Sequence, residues 1–520
     1  MPQIDEETPL LDDNGKQKIT PLPWFQISII IFLQLAEPLT GNVVTPFAPQ
    51  LIRDLGVTHG NESHVGYYVG LLQSLFFLTE ACTVLYWSRM SDYVGRKPVI
   101  LTGLFGLALS MYCFGLSKTF WGLVLRHVFT AFKRSISKFM WGVEYVAIWL
   151  NLGIILEAHG NVGVIKSMIV EITDITNISQ AYAYMPLAWN TGGTLGPMIG
   201  GWLSRPAERF PEIFGKSQFL RDYPYFLPCA VPATFTVLAW IVTYVFLEET
   251  VPTPVPIAQY LGLKTKETWV KKAPNEYEQG SQPSHATSIP FTKRRATEDQ
   301  LTTKSSPSIQ SLFTPRVIIA AGNYASLSLV DIAFRSIQPV FFSTPIALGG
   351  LGLPPSTIGN ILAAFGILNG LMQGFFFSRA SRRWGPRNVF IWGLASLIPA
   401  FATFPLLSFL VRTTGYGPIL WTAVAVHVLM SIPMCFSYGA VFIFIANASP
   451  DRSTIGATNG LSQTTVSFMR AIGPAAATSL FSLSIERGYL GGRLVYYLLV
   501  GLVGIALYLS TWLPKRVWTA

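Results

Sequence analysis

Charge is scarce in this chain. Only 12% of its 520 residues are Asp, Glu, Lys or Arg, while 50% are hydrophobic; soluble domains carry roughly 25% charged residues. That deficit excludes an ordinary soluble enzyme. Cysteine is rarer still: Cys82, Cys113, Cys229 and Cys435 each sit in an apolar stretch, where they read as small buried hydrophobes rather than disulfide partners. The six histidines (His59, His64, His127, His159, His285 and His427) are scattered, so no metal centre is expected. No glycine-rich phosphate loop with its lysine is present, which excludes a nucleotide-driven pump and leaves no expected cofactor. The first apolar run follows an acidic N-terminus (Asp5, Glu6, Glu7) and lacks the form of a cleavable signal peptide. The net charge of +10 forms no basic stripe interleaved with aromatics, so nucleic acid is not an expected partner.

What is present is a succession of apolar runs. A membrane span needs about 20 mostly apolar residues. Such runs fall near 24–46, 66–87, 98–117, 120–172 (broken), 186–203, 225–247, 316–341, 357–378, 388–410, 419–446, 456–484 and 494–513. The expected fold is an all-α membrane protein of twelve transmembrane helices in two six-helix bundles, 24–247 and 315–513. Tails 1–23 and 514–520 flank the bundles. Between them, 248–314 is rich in Pro, Ser, Thr, Lys and Glu and reads as a disordered linker. Lys and Arg concentrate beside the spans on the side that would hold both termini and the linker, which is therefore expected to be cytoplasmic. The sequon Asn61-Glu62-Ser63 then lies on the opposite side. Glu6-x-x-x-Leu10-Leu11 matches an acidic dileucine address, leaving vacuolar and plasma membranes as the two expected locations.

The halves repeat a motif. Ser88-Arg89-Met90-Ser91-Asp92-Tyr93-Val94-Gly95-Arg96-Lys97 follows the second span, and Ser378-Arg379-Ala380-Ser381-Arg382-Arg383-Trp384-Gly385-Pro386-Arg387 follows the eighth. Both read Ser-Arg-x-Ser-x-x-x-Gly-x-basic, with glycine permitting a tight turn. The fifth span carries Gly192-x-x-x-Gly196-Pro197-x-x-Gly200-Gly201, whose glycines give a smooth face for close helix contact while Pro197 removes a backbone donor.

The first loop resembles motif A of the major facilitator superfamily, with Ser88 where the first glycine is expected. The fifth span resembles motif C of its drug:proton antiporter branch. Asn459, Gly460, Gln463, Gly473 and Pro474 lie in a stretch similar to the eleventh-span signature of the zinc-induced-facilitator-like group, as are Gly160–Met168 with Glu171 and Asp174, and Phe246–Thr250. The resemblance implies a gate in which Asp92, with Ser88, Gly95, Arg96 and Lys97, meets the start of the eleventh span around Thr454–Gly456; the plain alternative is a loop that only fixes topology. It also implies Arg126 as the motif B arginine, continuing almost at once into Gly160. Residues 133–158 interrupt that continuity. They are expected to be a translated intron or gene-model error, the alternative being a functional insertion, because a thirteenth span would reverse the charge bias.

Ionisable groups inside spans are costly and so point to function. Glu37, Glu80, Arg126, Asp331, Arg335 and Arg470 form that set. A desolvated carboxylate can take and release protons near neutral pH, and Glu37 is the first choice for that role, with Arg126 as its modulator. Asp331 and Arg335 are four apart, so a purely structural i,i+4 pair is an equal possibility. The expectation is a monomeric, proton-coupled antiporter of a small organic molecule or chelate; a facilitator without coupling and a non-transporting sensor are the rivals.

Overall fold

The computed structural model describes residues 20–118, 161–173, 177–251, 313–448, 455–515 and 518. Arg126, the segment 133–158 and most of the linker 248–314 lie outside them, as do the side chains of Glu80 and Ser88. The described elements are all helices. The first half contains α1 (Trp24–Gln34), α2 (Ala36–Val43), α3 (Ala48–Asp54), α4 (Val65–Val94), α5 (Arg96–Gly115), α6 (Asn161–Ile172) and α7 (Ile178–Leu203). Three short helices follow, α8 (Pro206–Arg209), α9 (Pro211–Phe214) and α10 (Gln218–Asp222), and then α11 (Phe226–Phe246). The second half contains α12 (Pro315–Ser343), α13 (Pro355–Trp384), α14 (Pro386–Ala395), α15 (Leu397–Thr414), α16 (Pro418–Ala448), α17 (Ile455–Glu486) and α18 (Leu494–Ser510).

Among the described residues, eight spans meet membrane-crossing length and hydropathy, with α1–α2 and α14–α15 each counting as one broken span. Helices α4, α7 and α18 pack into the same assembly, and α6 supplies the described part of the fourth span. Outward faces carry large apolar side chains such as Phe105, Trp392 and Ile505, each more than half exposed, as expected for a surface solvated by lipid tails. This is an integral, multi-pass membrane protein.

Two expected boundaries move. The fifth span starts at Ile178 rather than 186, because Ala181 and Met185 join the core of the first half although polar Ser179 and Gln180 interrupt the apolar run. The motif A segment is helix rather than loop: α4 continues to Val94, and the whole turn is Gly95 at φ 108°. Its counterpart Gly385 ends α13 at φ 78°. Gly95 N–H donates to Ser91 O (3.2 Å) and Gly385 N–H to Ser381 O (3.0 Å), so the repeated serine and glycine close the same turn in both halves. Only glycine enters such conformations without strain.

Lipid tails are as apolar as leucine, so packing rather than hydrophobic transfer holds the spans together. The cores differ. Phe334, Phe341, Phe342, Phe390, Phe401, Phe404 and Phe444 are fully buried in the second half, whereas the first half packs Ile27, Ile30, Leu33, Val99 and Ile100. The halves meet along two seams, α4 against α17 and α7 against α13. We call the end bearing Gly95 and Gly385 the turn end, and the opposite one, bearing residues 55–64 and 204–225, the far end.

Candidate functional site

The motif C glycines divide between two partners. A Cβ at Gly192 would lie 2.7 Å from Pro38 Cγ, one at Gly196 would lie 3.0 Å from Leu39 O, and one at Gly200 would strike the Val43 carbonyl. These three therefore seat α7 on α2, beside Glu37. Gly201 instead faces the second half, where a Cβ would lie 2.6 Å from Pro355 O; the Pro197 carbonyl likewise crowds Gly359. Overpacking of this kind costs about 1–3 kcal/mol, more than the roughly 0.5–1 kcal/mol a helix gains from Gly→Ala. Gly200→Ala should therefore lower the unfolding temperature of the detergent-solubilised protein. Gly193→Ala is the control: a Cβ there meets nothing within 4 Å, and equal losses at both positions would defeat the packing account.

Glu37 stands in the first turn of α2, half-buried, one residue before the proline that receives Gly192 and two after the break at Leu35. Asp92 pairs with Arg96 at 2.5 Å and its side chain stays 53% exposed; its expected meeting point around Thr454–Gly456 lies outside the residues whose side chains are described. Arg96 itself is buried and bonded to Glu171 (2.8 Å) and Ser91 Oγ (2.5 Å). The Glu249 carboxylate accepts the backbone N–H groups of Arg96 (2.8 Å) and Lys97 (3.1 Å), capping α5 at the end where an anion is favoured. Burial disfavours the Arg96 charge, and the carboxylates of Glu171 and Asp92 compensate it. The motif thus ties α4, α5, α6 and the end of α11 into one first-half cluster.

In the second half, Asp331 and Arg335 join, with Arg335 Nε donating to Asp331 Oδ1 at 2.6 Å. Tyr438 Oη donates to the other carboxylate oxygen at 2.7 Å, and Arg335 Nη2 donates to Cys435 Sγ at 3.6 Å. Asp331 is buried, yet the Arg335 side chain is 41% accessible and its guanidinium lies 5.2 Å from the centre of the Phe365 ring. A guanidinium aimed at lipid would be costly, so this one opens to the space between the halves. Tyr324 donates to Gln463 Oε1 (3.4 Å) and stands edge-on to Tyr438 at 6.2 Å. Arg470 acts electrostatically on Tyr438. Asp331, Arg335, Arg470 and Gln463 thus come together, while Asn459 and Gly460 stay exposed and Gly473 and Pro474 pack against α12 and α4.

Tyr438, Cys435 and Phe365 were not legible as site residues, because each stands in an uncharged apolar run; a phenol in mid-span was the one available signal. Cys435 is more than a packing residue, since it accepts from Arg335. His427 is fully buried, bonded to Thr403 Oγ1 (2.6 Å) and Gln338 Nε2 (3.2 Å), a satisfied core histidine. No group of three His, Cys, Asp or Glu side chains could hold a metal among the described residues.

At the far end the halves are bonded to each other. Arg53 of α3 donates to the Ser343 hydroxyl (2.7 Å) and carbonyl (2.8 Å) at the end of α12. Ala475 N–H donates to Ser74 Oγ (2.8 Å), Trp202 Nε1 to Asn360 Oδ1 (2.7 Å), and Asn369 Nδ2 to Asn190 Oδ1 (3.0 Å). These contacts run from mid-seam to the far end, so this conformation is closed there.

Two helical bundles meeting along paired seams, with a charged pair set mid-span between them, define a membrane transporter. The Major Facilitator Superfamily model matches residues 30–138 and 160–474, and the chain belongs to that family. The match skips 139–159, within or beside the anomalous segment 133–158. The chain is 28% identical over 512 residues to the major facilitator-type transporter psiT2 of Psilocybe cyanescens, covering 94% of this chain and 90% of that one. It is 26% identical over 500 residues to Protein ZINC INDUCED FACILITATOR 1 of Arabidopsis thaliana, covering 95% and 92%. In fold it matches the crystal structure of a bacterial homologue of the human lysosomal transporter Spinster, with TM-score 0.60 at 14% identity, covering 94% and 97% of the two chains.

Proposed function

We propose that the protein is a proton-coupled antiporter of a small organic molecule or chelate, working by alternating access about the space between its halves, in a vacuolar or plasma membrane with the turn end cytoplasmic. The observation that carries this reading is the mid-span constellation of Asp331, Arg335 and Tyr438 with one charged edge open. Beside Phe365 and Tyr324 it offers a substrate both ionic and aromatic contacts. Far-end closure supplies one of the two states that alternation requires. Glu37 is the proton carrier in this scheme: it is half-buried in a span, beside the contact of α2 with α7, where a carboxylate is partly desolvated.

The test is flux in acidified proteoliposomes containing the purified chain, screened against metabolite mixtures and repeated on a chain lacking 133–158. Substrate movement should collapse when the proton gradient is dissipated, and Glu37→Gln should remove the gradient dependence while leaving the protein folded. Flux indifferent to the gradient would instead establish a facilitator. Flux only without 133–158 would mark that segment as foreign to the working carrier.

A further inference from the structure

A cavity of about 640 Å³ opens at the far end, walled by both halves, within the size range of small-molecule sites. The first half contributes Arg53, Arg205, Arg209 and Glu208; the second contributes Ser343 and an apolar wall of Pro345, Leu353, Pro354 and Pro355. Two of the three arginines are already neutralised. Arg53 pairs with Glu62 at 2.8 Å, and Arg205 pairs with Asp54 at 2.5 Å and Glu208 at 3.1 Å.

Arg209 differs. Its described partners are the Gly201 carbonyl (3.2 Å) and the faces of Trp202 (4.8 Å) and Phe210 (5.9 Å), and no carboxylate reaches it among the described residues. Its position is fixed by Arg205, which takes the left-handed conformation (φ 51°, ψ 57°) at the start of α8. The Asp54 pair and an Arg205 N–H bond to Pro224 O (2.9 Å) hold that turn, which leaves Arg209 in the cavity wall. Burial without a compensating acid pulls the Arg209 pKa below the ordinary arginine value, the reverse of what a bound anion would do.

We propose that this cavity is a second binding site, separate from the mid-span pair, which takes a small molecule bearing one carboxylate and an apolar body. The carboxylate meets Arg209 and the body lies on the proline-rich wall. Because the walls belong to different halves, the site exists only while the far end is closed, and its occupant favours that state.

Benzoate is the probe, with inorganic phosphate at matched ionic strength as comparator, on the full chain in detergent. Arginine modification by phenylglyoxal, read residue by residue by mass spectrometry, should slow about tenfold at Arg209 when benzoate stands at about nine times its Kd. It should be unchanged at Arg221, which bonds Gly215 O outside the cavity. By calorimetry, Arg209→Gln should weaken benzoate binding about tenfold or more, and Arg221→Gln should not. The proposal fails if Arg209 reacts equally fast with and without benzoate, if phosphate protects as well as benzoate does, or if Arg209→Gln binds benzoate as the parent does. Protection is measured on the unaltered chain, so it decides the matter even where a variant does not fold.

Discussion

Asp331→Asn is expected to abolish transport and to destabilise the protein by about 3 kcal/mol. The carboxylate is buried and serves two donors, Arg335 Nε at 2.6 Å and Tyr438 Oη at 2.7 Å. Neutralising it leaves a guanidinium uncompensated within a span. Removing one partner of a buried pair costs about 3–5 kcal/mol; the lower end applies because the Arg335 side chain is 41% accessible. The informative comparison is the double variant Asp331→Asn/Arg335→Gln, which removes the uncompensated charge. Thermal unfolding should recover most of the lost stability in the double variant, because what remains is polar and uncharged. Flux in proteoliposomes should not recover, because the charged edge facing the space between the halves is gone. Should both recover together, the pair is only a staple within α12 and the substrate is held elsewhere.

Gly70→Val is expected to block the cycle by a different route. A Cβ at Gly70 would run into Thr478 Oγ1 and come within 2.7 Å of the Pro474 carbonyl. The hydroxyl can rotate away, but a carbonyl in a helix cannot. Gly66 faces Ser482 one turn further along the same seam, so this stretch of α4 lies against α17 at close approach. The clash lies between the halves, so its cost, about 1–3 kcal/mol, is felt by the far-end-closed state and not by either bundle alone. Each 1.4 kcal/mol shifts the balance of states tenfold. Spin labels at Ser63→Cys and Arg487→Cys, next to the contact of His64 with Glu486, should report a longer distance in the Gly70→Val chain, with flux lost. Unchanged label distances would show that the seam absorbs the extra carbons. Gly41→Ala, where a Cβ meets only Phe76 at 3.8 Å, should change neither measurement.

Much of this architecture is readable before folding because membrane spans announce themselves by hydropathy and turns by glycine. The Ser91–Gly95 and Ser381–Gly385 turns follow from the repeat, and the close approach of α7 to α2 follows from glycines four apart. What stays hidden depends on partners distant in sequence. Arg335 and Asp331 are visible as an i,i+4 pair, but nothing in the apolar run around Cys435 and Tyr438 indicates that α16 closes over them. Arg53 stands between two apolar runs with nothing in the sequence to mark it, and its bonds to Ser343 arise only when the halves meet. Arg96 reads as part of a basic cluster, and only the fold encloses it with Asp92 and Glu171. The start of α7 at Ile178 was obscured because core contacts by Ala181 and Met185 override the polar residues around them.

Helix α12 carries the charged pair near its middle and ends at Ser343, where Arg53 grips it. At 1.5 Å per residue the arm from Asp331 to Ser343 is about 18 Å long, and a tilt of about 10° at its inner end displaces its tip by about 3 Å. That displacement matches the length of the two Arg53 bonds. Pro339 lies on this arm, where the missing backbone donor makes bending easier. The helix therefore joins the mid-span pair to the far-end clasp, and because Phe334, Phe341 and Phe342 lie on the same arm, a tilt that releases the mouth must carry part of the phenylalanine core with it.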